Sequence, residues 1–77
     1  MNEQTTLNKF VRMKRKSLKM TQLEMSEKSG VGIRFLRELE KGKKTLKMDK
    51  VNQVLELFGY ELGPLESERN TSINEEG

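Results

Sequence analysis

Apolar residues fall into four groups along the chain, and each group keeps a helical spacing. Leu7, Phe10 and Val11, with Lys14, form one face of a first helix that runs through Lys16, capped by Thr6 or Asn8. Lys9, Arg12 and Lys16 take its opposite side, and the cations near its end complement the helix dipole. Leu18-Lys19-Met20 forms a link that lays two apolar side chains over the core. Thr21 opens a second helix, and Glu24 three residues on completes the pattern of a capping box. In this helix Met25 points inward and Leu23 covers an edge.

The second helix ends at Ser29, before Gly30. Ser26 is a small residue four positions ahead of that glycine. Two helices meeting at a steep angle need a small side chain at the crossing and a residue tolerant of positive φ at the turn. Ser26 and Gly30 meet those needs. A third helix, Gly32 to Lys41, follows Val31, buries Phe35, Leu36 and Leu39, and stops before Gly42. Gly32, Ile33, Arg34, Arg37 and Lys41 are left facing outward.

After the basic loop GKKTLK, a fourth helix starting at Thr45 or Lys47 places Met48, Val51, Val54, Leu55 and Phe58 on one face, and Gly59 stops it. Tyr60-Glu61-Leu62 then alternates briefly. That is too short for a helix, and a lone strand needs a partner. The fold expected is all-α: a compact domain of four to five helices over residues 1–65 with a short C-terminal β-strand. Residues 1–5 are expected to fray, and the acidic tail 66–77 to be disordered.

Charge sharpens this picture. Four acids and one arginine give residues 66–77 a net charge of −3, so residues 1–65 carry +6 of the chain's overall +3. A basic domain suits a polyanionic partner, although a lysine-rich solvated surface explains the same number. With neither cysteine nor histidine, the chain lacks disulfides, thiolate metal sites, and the commonest general base and metal ligand. No nucleophile–base set, paired catalytic acids or phosphate loop appears, so neither an enzyme nor a cofactor is expected. No apolar run is long enough to span a bilayer and MNEQTTLNKF has no signal-peptide core, so no membrane association and a cytoplasmic location are expected.

Three stretches carry a family resemblance. VRMKRKSLKMTQ leads into TQLEMSEKSGV, FLRELEKGK follows, and LELFGYEL closes the pattern. Together they resemble the Cro/C1-type (XRE-like) helix-turn-helix family, with a lambda-repressor-like fold over about Leu7 to Leu62. Within that family the chain looks most similar to HipB-like antitoxin regulators. The resemblance implies roles. Gly32, Ile33, Arg34, Arg37 and Glu38 match base-facing positions of the recognition helix. Thr21, Gln22, Lys41, Lys43 and Lys44 match DNA-backbone contacts, with Gln22 bonding a phosphate or bracing the recognition helix. Arg15 and Glu40 match a partly buried ion pair. Leu57, Tyr60, Glu61 and Leu62 match a dimerisation segment, whose terminal strand pairs with its twofold mate.

Two departures narrow the chemistry. Gly32 stands where a serine or threonine is more usual, which loses a hydroxyl contact. Ile33 stands where a polar residue is common, so it can meet a thymine methyl but cannot bond a base edge. Arg34 is then the foremost reader, able to bond guanine O6 and N7 together, with a phosphate contact or a free surface charge as the plainer alternative. Arg37 suits phosphate. Glu38 suits cytosine N4 or, more simply, an i,i+4 pair with Arg34. Leu62 has its own plainer role, packing within one protomer.

The function implied is a homodimeric, sequence-specific repressor that binds double-stranded DNA at a palindromic operator. In its sharper form it is the antitoxin of a HipBA-like toxin–antitoxin operon, autoregulating its promoter and binding a HipA-like kinase toxin. A stand-alone phage-like repressor is the alternative, as is a protein-interaction module without a specific DNA site.

Overall fold

The computed structural model describes residues 6–66. Among them lie four helices, α1 Leu7–Ser17, α2 Gln22–Ser29, α3 Ile33–Lys41 and α4 Met48–Leu55, the last continued by a 3₁₀ turn, Glu56–Phe58. The expectations for residues 1–5, and for the tail beyond Glu66, lie outside the described residues.

Val11, Met25, Val31, Leu36, Leu39, Val51, Val54 and Leu55 form one buried core, to which every helix contributes. α3 packs against both α1 and α2, and α2 against α4. This places α3 with one side fully committed to the interior. Phe10 meets Tyr60 edge-on at 4.9 Å and Phe58 at 6.4 Å, sealing the far end of the core. Lys14 lies over the same two-ring face, its Nζ 5.4 Å from the Tyr60 ring and 5.8 Å from Phe10. That explains why a lysine shares the apolar side of α1: its stem packs while its charge meets the aromatic faces.

Three of the element ends close by one device. After α1, Met20 N–H donates to the Arg15 carbonyl and Lys19 N–H to that of Lys16; after α3, Lys43 and Gly42 donate to Glu38 and Leu39; after the 3₁₀ turn, Tyr60 and Gly59 donate to Leu55 and Glu56. In each case the middle residue takes positive φ, +57° at Lys19, +93° at Gly42 and +79° at Gly59. Glycine meets that demand without strain at two of the three, and lysine does not at the third.

Four expectations need correction. No strand occurs at Tyr60–Leu62 among the described residues: Tyr60 N–H is used by the Leu55 carbonyl and Leu62 N–H by the Asn52 side chain at 2.7 Å, so neither donor is free for a ladder. Met48 does not join the core face but is 70% exposed, because α4 begins at that residue and its first turn lies beyond the packed layer. Leu18 does not cover the core; it is 53% exposed, turned outward by the positive φ of Lys19 beside it. The helical run towards Phe58 is not one α-helix, since it tightens to 3₁₀ after Leu55 before Gly59 ends it.

Candidate nucleic-acid interface

The α2–turn–α3 unit is built from local chemistry on both sides of Gly30. The Thr21 hydroxyl accepts from Glu24 N–H at 3.0 Å and the Glu24 carboxylate accepts from Thr21 N–H at 2.9 Å, so the capping box is complete. Gly30 ends α2 at φ +84°. Any side chain there would be strained by that φ, and its Cβ would come within 3.1 Å of the Gln53 amide. That amide is held in place by donating to the Ser29 carbonyl at 2.9 Å.

Ser26 does more than provide a small crossing residue. Its buried hydroxyl donates to the Val31 carbonyl at 2.6 Å, spanning the turn and satisfying an acceptor sealed inside it. The sequence signalled the small volume; the hydroxyl bond depends on where the turn carries Val31. Asn52 and Gln53, which fasten Leu62 and Ser29, carry no local sequence signal of those bonds, since polar residues between Val51 and Val54 read simply as the solvated side of α4.

At the other end of α3, Glu40 is the hub. Arg15 donates to it through Nε at 2.7 Å and Nη2 at 3.0 Å, and the Gln22 amide adds a third bond at 3.0 Å. Arg15 also donates to the Met20 carbonyl through Nη1. The carboxylate therefore ties α3 to α1 and α2 together. Burial alone would push the Glu40 pKa up, but the hydrogen bonds from Arg15 and Gln22, and the charges of Arg15 and Arg12, outweigh it and hold the group below its ordinary value. The bond to Glu40 raises the Arg15 guanidinium pKa in turn, against the opposing effect of burial.

This leaves the outward side of α3 unencumbered. Gly32 is the N-cap residue and contributes no capping side chain, and the helix proper starts at Ile33. At 100° per residue, Ile33, Arg34, Arg37 and Lys41 fall within about one third of the helix circumference. Arg34, Arg37 and Lys41 are exposed, whereas Ile33 is half-buried, so its outward role is partial. Neither Arg34 nor Arg37 has a carboxylate partner within ion-pair distance among the described residues. The pair expected between Glu38 and Arg34 is not formed; Glu38 instead accepts from Lys43 Nζ at 3.3 Å, because the turn at Gly42 brings Lys43 back over the last turn of α3.

Of the other positions singled out, Thr21, Lys43 and Lys44 are exposed; Thr21 adjoins Gln22, which bonds Glu40 in the last turn of α3, and Lys43 and Lys44 follow that turn. Gln22 is half-buried and braces α3 through Glu40. Leu57 and Leu62 pack against the core, Tyr60 is half-exposed on Phe10, and Glu61 is exposed. Among the described residues no group of acidic side chains is arranged to hold a metal ion, and no helix is long and apolar enough to cross a membrane.

The chain is 44% identical over 50 residues to a protein named "Uncharacterized HTH-type transcriptional regulator y4mF" from Sinorhizobium fredii (strain NBRC 101917 / NGR234). The match covers 65% of this chain and 66% of that relative, slightly under two thirds of its length. No solved structure gives a significant match. The helix-turn-helix domain family matches residues 8–65, three quarters of the chain.

Proposed function

The chain belongs to the helix-turn-helix domain family, and on that premise we propose that it is a sequence-specific DNA-binding transcription regulator acting as a repressor. One observation carries the reading. α3 is anchored on its inner side by Leu36, Leu39 and Glu40, and presents Arg34 and Arg37, exposed and unpaired among the described residues, on its outer side. Such a helix fits a major groove, about 12 Å wide, without rearranging the core.

In this reading Arg34 bonds guanine O6 and N7, Ile33 offers apolar contact to a thymine methyl, and Gly32 allows close approach of the backbone. Arg37 reaches a base or phosphate farther along, and Glu38 accepts from cytosine N4 when Lys43 releases it. Thr21, Gln22, Lys41, Lys43 and Lys44 hold the phosphates. The Thr21 oxygen is used as an acceptor within the cap, which leaves its O–H free to donate.

The regulator acts as a homodimer on a palindromic operator, with half-sites one DNA turn apart. A half-open groove of about 470 Å³, lined by Leu7, Phe10, Tyr60, Leu62, Pro64 and Leu65, supports a second copy at the C-terminal end. The Leu57, Tyr60, Glu61 and Leu62 segment would meet its mate there by side-chain packing. The resemblance of FLRELEKGK and LELFGYEL to HipB-like regulators supports the sharper reading, an antitoxin that represses its own operon and binds a kinase-like toxin.

Gel shifts on the DNA upstream of its own gene test the regulator, with one retarded species at low salt that survives excess random-sequence competitor as the expected result. Absence of any shift would refute it. Co-purification with the product of the adjacent gene tests the antitoxin role.

A further inference from the structure

One acid stands among the cations on the outward side of α3. Glu38 lies about 40° around the helix from Arg34 and about 60° from Lys41, whereas Glu40, the other acid of α3, is buried against Arg15. A bare carboxylate at Glu38 would face the phosphates of any DNA laid on this side. Lys43 covers it: its Nζ donates to Glu38 Oε1 at 3.3 Å, and its backbone N–H donates to the Glu38 carbonyl at 3.0 Å. The turn that allows both bonds has Gly42 at φ +93°, with the Asn8 amide 3.4 Å from where a Cβ would stand. Lys43 thus differs from Lys41, Lys44 and Lys47, which have no acid within ion-pair distance among the described residues. The Lys43 side chain is 46% exposed and that of Glu38 39%. An ion pair so exposed is weak and screened by salt, so the Nζ is free to leave while the backbone N–H stays bonded.

We propose that Lys43 is a specificity-determining residue, exchanging Glu38 for a DNA phosphate only where the DNA offers cytosine to Glu38. This role rests on the proposed function, since it needs DNA on the outward side of α3. Cytosine presents a donor alone in the major groove, its N4–H₂, while every other base presents an acceptor there. Before cytosine, N4–H takes the place of Nζ–H on the carboxylate, and the released lysine turns to the backbone. Before an acceptor, the carboxylate is repelled and keeps Lys43. One base pair therefore decides whether one phosphate contact forms. Reading and holding are otherwise tasks of separate side chains, and this pair joins them.

The test uses the full-length chain with duplexes of the DNA upstream of its own gene, each base pair of one half-site replaced in turn. Affinity is measured over a range of salt concentrations. Replacing one particular C·G pair should weaken binding and also flatten the slope of log K against log[salt] by about 0.9, the share of one phosphate. Replacing any other pair should change affinity without changing the slope. In Lys43→Met the slope should be the flatter one on every duplex. In Glu38→Gln, whose lysine has no carboxylate to return to, it should be the steeper one on every duplex. Equal slopes for all replacements in the wild type, with sequence preference intact, overturn the exchange and leave the regulator reading standing. A slope difference that persists in Lys43→Met also overturns it. Failure to bind any of these duplexes refutes both.

Discussion

Arg15 of α1 and Glu40 of α3, twenty-five positions apart, meet through two hydrogen bonds with side chains only 12% and 3% exposed. Removing one member of such a pair leaves the other charge buried and uncompensated. Arg15→Met is expected to destabilise the fold by about 3–5 kcal/mol, and the double variant Arg15→Met/Glu40→Met by less than that. Urea denaturation of both variants checks this, and a double variant less stable than the single one would refute it.

The same carboxylate predicts the response to acid. Its folded-state pKa lies below the unfolded value of about 4.3, so its contribution is fully present above that value and is lost as pH falls through the folded pKa. The Glu40 contribution to wild-type stability should therefore decline as pH falls below about 4.3. Glu40→Gln should be less stable at neutral pH and show a shallower acid slope, read from denaturation midpoints across the pH range.

Ser26→Ala keeps the small volume at the α2–α3 crossing but removes the donor to the Val31 carbonyl. The stranded acceptor is expected to cost about 1–3 kcal/mol. Hydrogen exchange should also quicken at the amides of the Ser29–Val31 turn. Loss below about 0.5 kcal/mol would mean that the hydroxyl bond adds nothing to packing.

Lys19 is exposed and takes φ +57°, where a Cβ is strained. Lys19→Gly should therefore stabilise the domain by about 1 kcal/mol, the left-handed strain outweighing the greater unfolded-state entropy of glycine. A thermal scan should show the midpoint rising by roughly 4–8 °C.

Two arginine and lysine variants separate reading from holding. Arg34→Ala should leave the melting temperature unchanged and weaken operator binding by about 1–3 kcal/mol, relaxing preference at one base pair. Lys44→Ala should weaken binding to all duplexes alike and reduce the salt slope by about 1. If Arg34→Ala instead weakened random and operator DNA equally, Arg34 would be a phosphate contact.

Local signals were legible in the sequence. The Thr21–Glu24 cap, the glycine stops at 30, 42 and 59, and the inward positions Met25, Leu36, Leu39, Val51 and Val54 follow from spacing and turn chemistry within a few residues. The Arg15–Glu40 pair came from resemblance, since nothing in either residue's neighbourhood specifies a partner twenty-five positions away. What was not legible depends on tertiary placement. Periodicity assigned Met48 to the buried face, but periodicity does not say where the packed layer ends. Alternation at Tyr60–Leu62 suggested a strand, but the donors of Tyr60 and Leu62 are claimed by Leu55 and Asn52. Spacing offered Glu38 the i,i+4 partner Arg34, but the turn at Gly42 brings Lys43, beyond the helix, onto it instead.

The inner side of α3 is fixed by Leu36, Leu39 and Glu40, while Gly32 and Arg34 in the turn that precedes them are exposed. A Cβ at Gly32 would meet open space, and its φ of −69° suits any residue. The domain is thus built like a tool holder with an exchangeable bit: positions 32, 34 and 37 can be rewritten while the grip behind them stays intact.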